Sequence, residues 1–211
     1  MNRIRRLLAD DHTVVRQGFR AILEQQPDMQ IVGEAGNGRE VMSLAQETTP
    51  DVIVMDVAMP ELNGMEATRR LSTSLPNTRV LALSMHKDSV YVREMLKAGA
   101  RGYLLKDSVD QDLLEAVRAI ARGGAYISPA VQPALMSPYR IQGSTPLDLL
   151  TSREREVLQL IAEGKTNKEV AAVLNISVFT VDAHRGRIME KLNVHNVNEL
   201  VRFAVRNGLV D

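Results

Sequence analysis

VIVMD, residues 52–56, is the stretch of this sequence that decides its fold. Four apolar residues in a row, without polar alternation, predict a strand buried on both faces, as in a parallel sheet covered by helices. The run ends at a carboxylate, Asp56. In an open parallel α/β sheet the carboxyl ends of the strands line the crevice where ligands bind. Asp56 is therefore predicted to lie in a ligand site at that edge.

Polar residues also follow three other apolar runs. They are Asp10 and Asp11 after residues 7–9, Ser84 after 80–83, and Lys106 after 103–105. Carboxylates brought together repel one another unless a hard cation lies among them, and Mg²⁺ prefers oxygen ligands. A lysine facing them favours an anion. The set predicts phosphoryl transfer onto a carboxylate with Mg²⁺ as the cofactor.

Each of these residues alone has a simpler explanation. Adjacent acids are usually solvated loop residues, and Asp56 could be a helix N-cap. Ser84 is a common type of strand-end residue, and Lys106 could be a solvated charge. Their joint occurrence at predicted strand ends favours the pocket.

Composition limits the classes of function. A length of 211 residues favours two modest domains, and 3% aromatic residues argue against an aromatic platform that stacks nucleobases. The absence of Cys excludes disulfides, thiolate zinc sites and cysteine nucleophiles. The 26 basic and 26 acidic residues balance, so net charge does not indicate a nucleic-acid partner. With no signal-peptide core and no apolar run near the ~20 residues of a membrane span, we expect a cytoplasmic protein without membrane contact.

Strand and helix patterns alternate over residues 1–123. Five such units predict a doubly wound, flavodoxin-like α/β domain with a five-stranded parallel sheet. Residues 124–146 contain Pro129, Pro133, Pro138 and Pro146 and predict a linker, with one short helix near 130–136.

Residues 147–211 carry helical patterns only and predict a small all-α domain. Thr151 with Glu154, and Thr166 with Glu169, form capping boxes that begin two helices. A tight turn at 175–177 then leads to a longer helix over 178–192. Two helices joined by a tight turn are typical of a helix-turn-helix.

These motifs resemble a known family. LLADDH (7–12), VIVMDVAMPELNG (52–64), LALSMH (81–86) and GYLLKD (102–107) resemble a two-component receiver domain. The stretch 150–194, from LTSRER to EKLNV, resembles a LuxR-type helix-turn-helix. Together the chain resembles response regulators of the NarL/FixJ class, which are transcriptional regulators and not enzymes.

The resemblance implies a role for each residue of the pocket. Asp56 would accept a phosphoryl group from a sensor histidine kinase. Asp10, Asp11, Asp56 and the backbone carbonyl of Ala58 would hold Mg²⁺. Lys106 and Ser84 would bind phosphoryl oxygens, and Ser84 would act with Tyr103 as a switch. The alternative for Tyr103 is a half-buried strand residue with its hydroxyl in water.

The resemblance also assigns a DNA-binding surface. The recognition helix would be Val178–Leu192, with Val181, Ile188 and Leu192 facing the core. The residues expected at DNA are Thr180, Asp182, Ala183, Arg185, Gly186, Arg187 and Lys191. Members of the family often carry Lys at the positions of Asp182 and Gly186, so site preference is expected to differ here. The alternative is a helical module for protein interaction whose charges are solvated.

The implied partner is double-stranded DNA with two-fold related half-sites, bound by a homodimer. The apolar residues of the last helix, among them Val201 and Val205, predict either core packing or a dimer contact.

Two rival classes fit the sequence less well. Phosphatases of the haloacid-dehalogenase type also use an aspartate nucleophile, but they need a second acid two residues later, where this chain has Ala58. Ligand-sensing LuxR-type regulators lack the acidic pocket.

Overall fold

Six parallel strands form the sheet of the N-terminal unit. In chain order they are β1 (Ile4–Ala9), β2 (Met29–Ala35), β3 (Val52–Asp56), β4 (Arg79–Ser84), β5 (Gly102–Leu105) and β6 (Tyr126–Ile127). Their order across the sheet is β2-β1-β3-β4-β5-β6. The computed structural model describes residues 3–136 and 146–210, and these two stretches form separate compact units.

Helices cover both faces of this sheet. They are α1 (Thr13–Glu24), α2 (Gly38–Thr48), α3 (Gly64–Ser74), α4 (Ser89–Ala98) and α5 (Val109–Ala121). One core joins the sheet to α2, α3 and α4, and the other joins it to α1 and α5. Strand β3 contributes Ile53 and Met55 to the first core and Val52 and Val54 to the second. The predicted doubly wound fold, with a central strand buried on both faces, is confirmed.

The sheet has one strand more than the five predicted, because part of the predicted linker 124–146 joins it. Tyr126 and Ile127 pair with Gly102 and Tyr103 of β5, and α6 (Gln132–Met136) follows where the short helix was expected. Val131 is fully buried in the first core. The prolines are compatible with this packing because Pro129 follows the strand and Pro133 lies in the first turn of α6. Residues 137–145 of the predicted linker lie outside the described residues.

The second unit is helical, as predicted. A 3-10 helix at Pro146–Leu149 precedes α7 (Ser152–Ala162), α8 (Asn167–Leu174), α9 (Val178–Leu192) and α10 (Val197–Arg206). Both predicted capping boxes are present, at the starts of α7 and α8. Asn175 ends α8 with a left-handed φ of 51°, and Ser177 caps α9. The helix-turn-helix prediction is confirmed.

The core of this unit determines which face of α9 is outward. Val181 and Ile188 are fully buried, and Leu192 packs against the same core. In α10, Leu200 and Ala204 are buried while Val205 is 41% exposed. No helix within the described stretches is long and apolar enough to cross a membrane.

Candidate phosphoryl-acceptor site and nucleic-acid interface

The parallel register brings the predicted pocket residues to one edge of the sheet. Asp56 is the last residue of β3 and Ser84 the last of β4, while Asp10 and Lys106 come directly after β1 and β5. Ala9 lies opposite Met55, Asp56 opposite Leu83, and Ser84 opposite Leu105. Because these strands are in register, the polar residues at their ends lie side by side.

Lys106 is the centre of the ion pairs in this pocket. Its Nζ lies 2.7 Å from Asp56 Oδ2 and 2.8 Å from Asp10 Oδ2. Both carboxylates are buried, with 1% of Asp10 and 4% of Asp56 exposed. Asp11 is exposed beside them, and ligand atoms of Asp10, Asp11, His12 and Asp56 all lie within 4.8 Å of one another.

The charges of the pocket do not balance. Burial raises the pKa of Asp56 to about 6, although Lys106 opposes this shift and Asp10 and Asp11 add to it. Burial by itself lowers the pKa of Lys106, but the attraction of Asp56 and Asp10 outweighs it and the pKa is raised. Three clustered carboxylates therefore face one partly buried ammonium group. A divalent cation with oxygen ligands fits this donor set and its excess negative charge.

The loop after β3 folds back against the end of the strand. The Gly64 N–H donates to the Val57 carbonyl over 2.9 Å. A Cβ on Gly64 would lie 1.9 Å from the carbonyl oxygen of Asp56, so a side chain there would displace the backbone of Asp56. Ala58, half-buried, lies in this loop two residues beyond Asp56. Gly64 thus fixes the position of Asp56 through close backbone contact.

Ser84 and Tyr103 are linked through the backbone of His86. The His86 N–H donates to Ser84 Oγ over 3.0 Å, and the Tyr103 hydroxyl donates to the His86 carbonyl over 2.9 Å. Tyr103 is fully buried, and burial raises its pKa to about 12. The alternative expectation was a half-buried Tyr103 with its hydroxyl in water. It does not hold, because the side chain is fully buried and its hydroxyl is bonded to a backbone carbonyl. The His86 ring stacks on Tyr91 of α4 at 4.1 Å.

Sequence reasoning missed two contacts of the acidic loop. His12 Nδ1 lies 2.9 Å from Asp11 Oδ1, and its side chain is 65% exposed. Arg16, in α1, donates to the Asp10 carbonyl and pairs with Glu34 at 3.1 Å. The only signal for either contact was closeness in sequence to Asp10, which does not reveal side-chain direction.

The exposed surface of α9 includes most residues expected at DNA. Thr180, Asp182, Ala183, Gly186, Arg187 and Lys191 are exposed, and Arg185 is half-buried. Ser177 caps the helix by accepting a hydrogen bond of 3.0 Å from the Thr180 N–H. Within the described stretches, Arg185 and Arg187 make no hydrogen bond or ion pair, so both are available to an external anion.

Two of the charged residues expected at DNA have partners on neighbouring helices of the unit. Lys191 Nζ lies 2.7 Å from Oε2 of Glu154, the buried capping residue of α7. Burial raises the pKa of Glu154, but its bonds to Lys191 and Thr151 outweigh this effect and lower it. Asp182 Oδ1 accepts a hydrogen bond of 2.6 Å from Asn167 Nδ2, at the start of α8. The structure therefore ties Lys191 and Asp182 to neighbouring helices.

Comparison with known proteins identifies the family of both units. Residues 7–118 match the response regulator receiver domain, and residues 148–204 match the bacterial regulatory proteins of the luxR family. The uncharacterized transcriptional regulatory protein YxjL of Bacillus subtilis is 42% identical over 99% of this chain and 98% of its own length. The oxygen regulatory protein NreC of Staphylococcus carnosus is 41% identical over 97% and 98%.

Solved structures agree with this assignment. RcsB from Salmonella enterica serovar Typhimurium, bound to the promoter P1flhDC with the phosphomimetic BeF3−, has a TM-score of 0.60 and 26% identity over 96% of this chain and 98% of that chain. RcsB dimers have also been solved on DNA. The chain belongs to the response regulators that join a receiver domain to a LuxR-type DNA-binding domain.

Proposed function

We propose that this protein is a transcriptional regulator controlled by phosphorylation of Asp56. A sensor histidine kinase supplies the phosphoryl group, and the phosphorylated protein binds two-fold related DNA half-sites as a homodimer through α9. One observation carries the proposal: Asp56 is buried at the end of the central strand, 2.7 Å from Lys106 and among further carboxylates.

The pocket suits an attack by Asp56 on a phosphohistidine. A carboxylate oxygen of Asp56 forms a bond to phosphorus as the phosphorus–nitrogen bond breaks, and the imidazole leaves with the electron pair. The Lys106 ammonium, already beside Asp56 Oδ2, neutralises a phosphoryl oxygen. The Ser84 hydroxyl, at the end of the neighbouring strand, donates to another. Positioning and charge neutralisation are most of what phosphoryl transfer requires.

Asp10, Asp11, Asp56 and the Ala58 carbonyl are the residues that would hold Mg²⁺. When bound, the cation supplies positive charge to the transferred phosphoryl oxygens. In thermal unfolding, Mg²⁺ is expected to stabilise the parent protein and to stabilise Asp11→Ala much less. Asp107→Ala, which removes an exposed acid next to Lys106, is the matched control and should respond as the parent does. Equal Mg²⁺ stabilisation of Asp11→Ala and the parent would remove Asp11 from the site.

The contacts of His86 provide a route from the pocket to the surface of the receiver. Ser84 Oγ accepts from the His86 N–H, and its own proton is available to a phosphoryl oxygen, so a shift of Ser84 toward a phosphoryl group would move His86 with it. The Tyr103 hydroxyl is bound to the same residue through the carbonyl. Phosphorylation is therefore expected to change the conformation between β4 and α4 and shift the population that dimerises.

Labelling with a small phosphodonor, such as acetyl phosphate, tests the acceptor. With Mg²⁺ present, the parent and Asp107→Asn should gain one phosphoryl group by intact-protein mass spectrometry, whereas Asp56→Asn should gain none. Labelling of Asp56→Asn to the same extent as the parent would contradict the proposal.

A further inference from the structure

The outward face of α9 carries a strip of uncharged residues where the helix is expected to reach the bases. Phe179, Ala183 and Gly186 lie on successive turns of one helix face, opposite the buried Val181 and Ile188. We call these three residues the apolar strip. Phe179 is 86% exposed, more than any other large hydrophobic residue of the described stretches.

Gly186 has no packing role inside the unit. Apart from its own turn of the helix, a Cβ at this position would meet no atom of the described residues within 4 Å, and the residue has no left-handed φ. Glycine in a helix interior is nevertheless destabilising relative to alanine, because it has more conformational freedom in the unfolded chain. Nothing in the described part of the unit requires a residue without a side chain at position 186. The advantage of glycine there is therefore that a partner outside the unit can approach α9 closely.

The charges around the apolar strip indicate the kind of partner. Asp182, beside the strip, is held at 2.6 Å by Asn167 of α8. Arg185 and Arg187 lie on the two sides of α9 and make no ion pair within the described stretches. Unpaired arginines flanking an uncharged surface suit a groove lined by phosphates more than an apolar protein surface.

We propose that the apolar strip reads thymine methyl groups in the major groove. The thymine C5-methyl is the apolar group that A·T pairs present there, and Phe and Ala side chains are suitable contacts for it. The N-terminal half of a recognition helix is the part that reaches base edges. Phe179 and Ala183 would contact the methyl groups, and Gly186 would allow the helix to approach the bases closely. This inference rests on the DNA-binding function proposed above.

Replacing thymidine with deoxyuridine tests the proposal, because it removes the methyl group and keeps the base-pairing edge. A duplex is first selected from random DNA with the full-length protein, and its half-sites are then made with either nucleotide. Loss of one buried methyl, worth about 0.8 kcal/mol, corresponds to about fourfold in affinity. The parent is expected to bind the deoxyuridine duplex at least about fourfold more weakly.

The matched variants are Phe179→Ser and Val178→Ser. Phe179→Ser should lower the affinity ratio between the two duplexes, because only the Ala183 contact remains. Val178→Ser, which removes a neighbouring exposed apolar side chain outside the strip, should keep the parent's ratio. Both side chains are exposed, so unfolding temperatures should match the parent and exclude misfolding as a cause.

Equal binding of both duplexes by the parent would overturn the proposal. A Phe179→Ser variant that keeps the parent's ratio of affinities for the two duplexes would also overturn it. Equal binding together with a changed oligomeric state of Phe179→Ser would make the strip a protein interface instead. Failure of the parent to bind any duplex at low salt would overturn this inference and the proposed DNA-binding function together, so the two failures are distinguishable.

Discussion

Asp56 and Asp182 are both aspartates in proposed functional surfaces, but their physical settings differ. Asp56 is 4% exposed and lies beside Lys106, Asp10 and Asp11, whereas Asp182 is exposed on α9 and accepts one hydrogen bond from Asn167. In the pocket, burial and the neighbouring charges shift the pKa values of Asp56 and Lys106, and the ion pairs hold their side chains in place. On α9 the outward residues contribute little to the unit's own packing, so DNA preference can change there without loss of the fold.

The largest expected effect of this difference is on stability against pH. The folded-state pKa of Asp56 is raised from 3.8 to about 6, so stability present below pH 4 is lost as pH rises through 6. Asp56→Asn removes the buried charge, and Lys106 keeps Asp10 as a partner. At pH 8 and without Mg²⁺, the variant should be more stable than the parent by up to about 3 kcal/mol, from about 1.4 kcal/mol per pKa unit.

Urea unfolding of the receiver unit at pH 4, 6 and 8 measures this effect. The gain of Asp56→Asn should disappear near pH 4, where both proteins are uncharged at this position. Asp182→Asn is the surface counterpart and should change stability by less than about 0.5 kcal/mol at every pH. An Asp56→Asn variant that is no more stable than the parent at pH 8 would contradict the charge imbalance of the pocket.

The cations of α9 are expected to have two different roles, with Lys191 stabilising the unit and Arg187 facing DNA. Lys191→Met leaves the buried Glu154 carboxylate without its cation, and should destabilise the second unit by about 1–2 kcal/mol. Arg187→Met should leave the stability almost unchanged, yet lower the salt dependence of DNA binding by about one unit if Arg187 contacts a phosphate. Thermal unfolding and binding titrations over a range of salt measure both. The reverse pattern would return Lys191 to the DNA surface.

The smallest expected effect is at Gly186, where helix stability and DNA affinity are expected to change in opposite directions. Gly186→Ala should stabilise the second unit by roughly 0.5–1 kcal/mol, because alanine is favoured in helix interiors and its Cβ meets no neighbour. The same variant should bind the selected DNA more weakly, because the added methyl hinders close approach. A variant that is more stable and binds equally well would show that the outward face tolerates a side chain at this position.

The sequence predicts the acidic pocket more completely than the surface of α9, and the reason is physical. The pocket followed from Asp10, Asp56, Ser84 and Lys106 because parallel register places every strand end at one edge, whatever the side chains do. Strand β6 was missed because a strand of two residues, between Gly124 and Pro129, carries no periodic signal.

The helix boundaries of α9 were also predictable, since its cap and periodicity are local. Its side-chain partners were not. Lys191 and Glu154 are 37 residues apart, and Glu154 already had a local explanation as the capping partner of Thr151. A buried carboxylate that takes a second partner from another helix leaves no local pattern in the sequence.

DNA binding with and without phosphodonor tests most directly the claim that Asp56 controls α9. Full-length parent and Asp56→Asn proteins are titrated against a duplex carrying two half-sites, with Mg²⁺ present and acetyl phosphate either added or omitted. The account predicts that acetyl phosphate tightens binding by the parent and leaves binding by Asp56→Asn unchanged. Equal tightening in both proteins would contradict it.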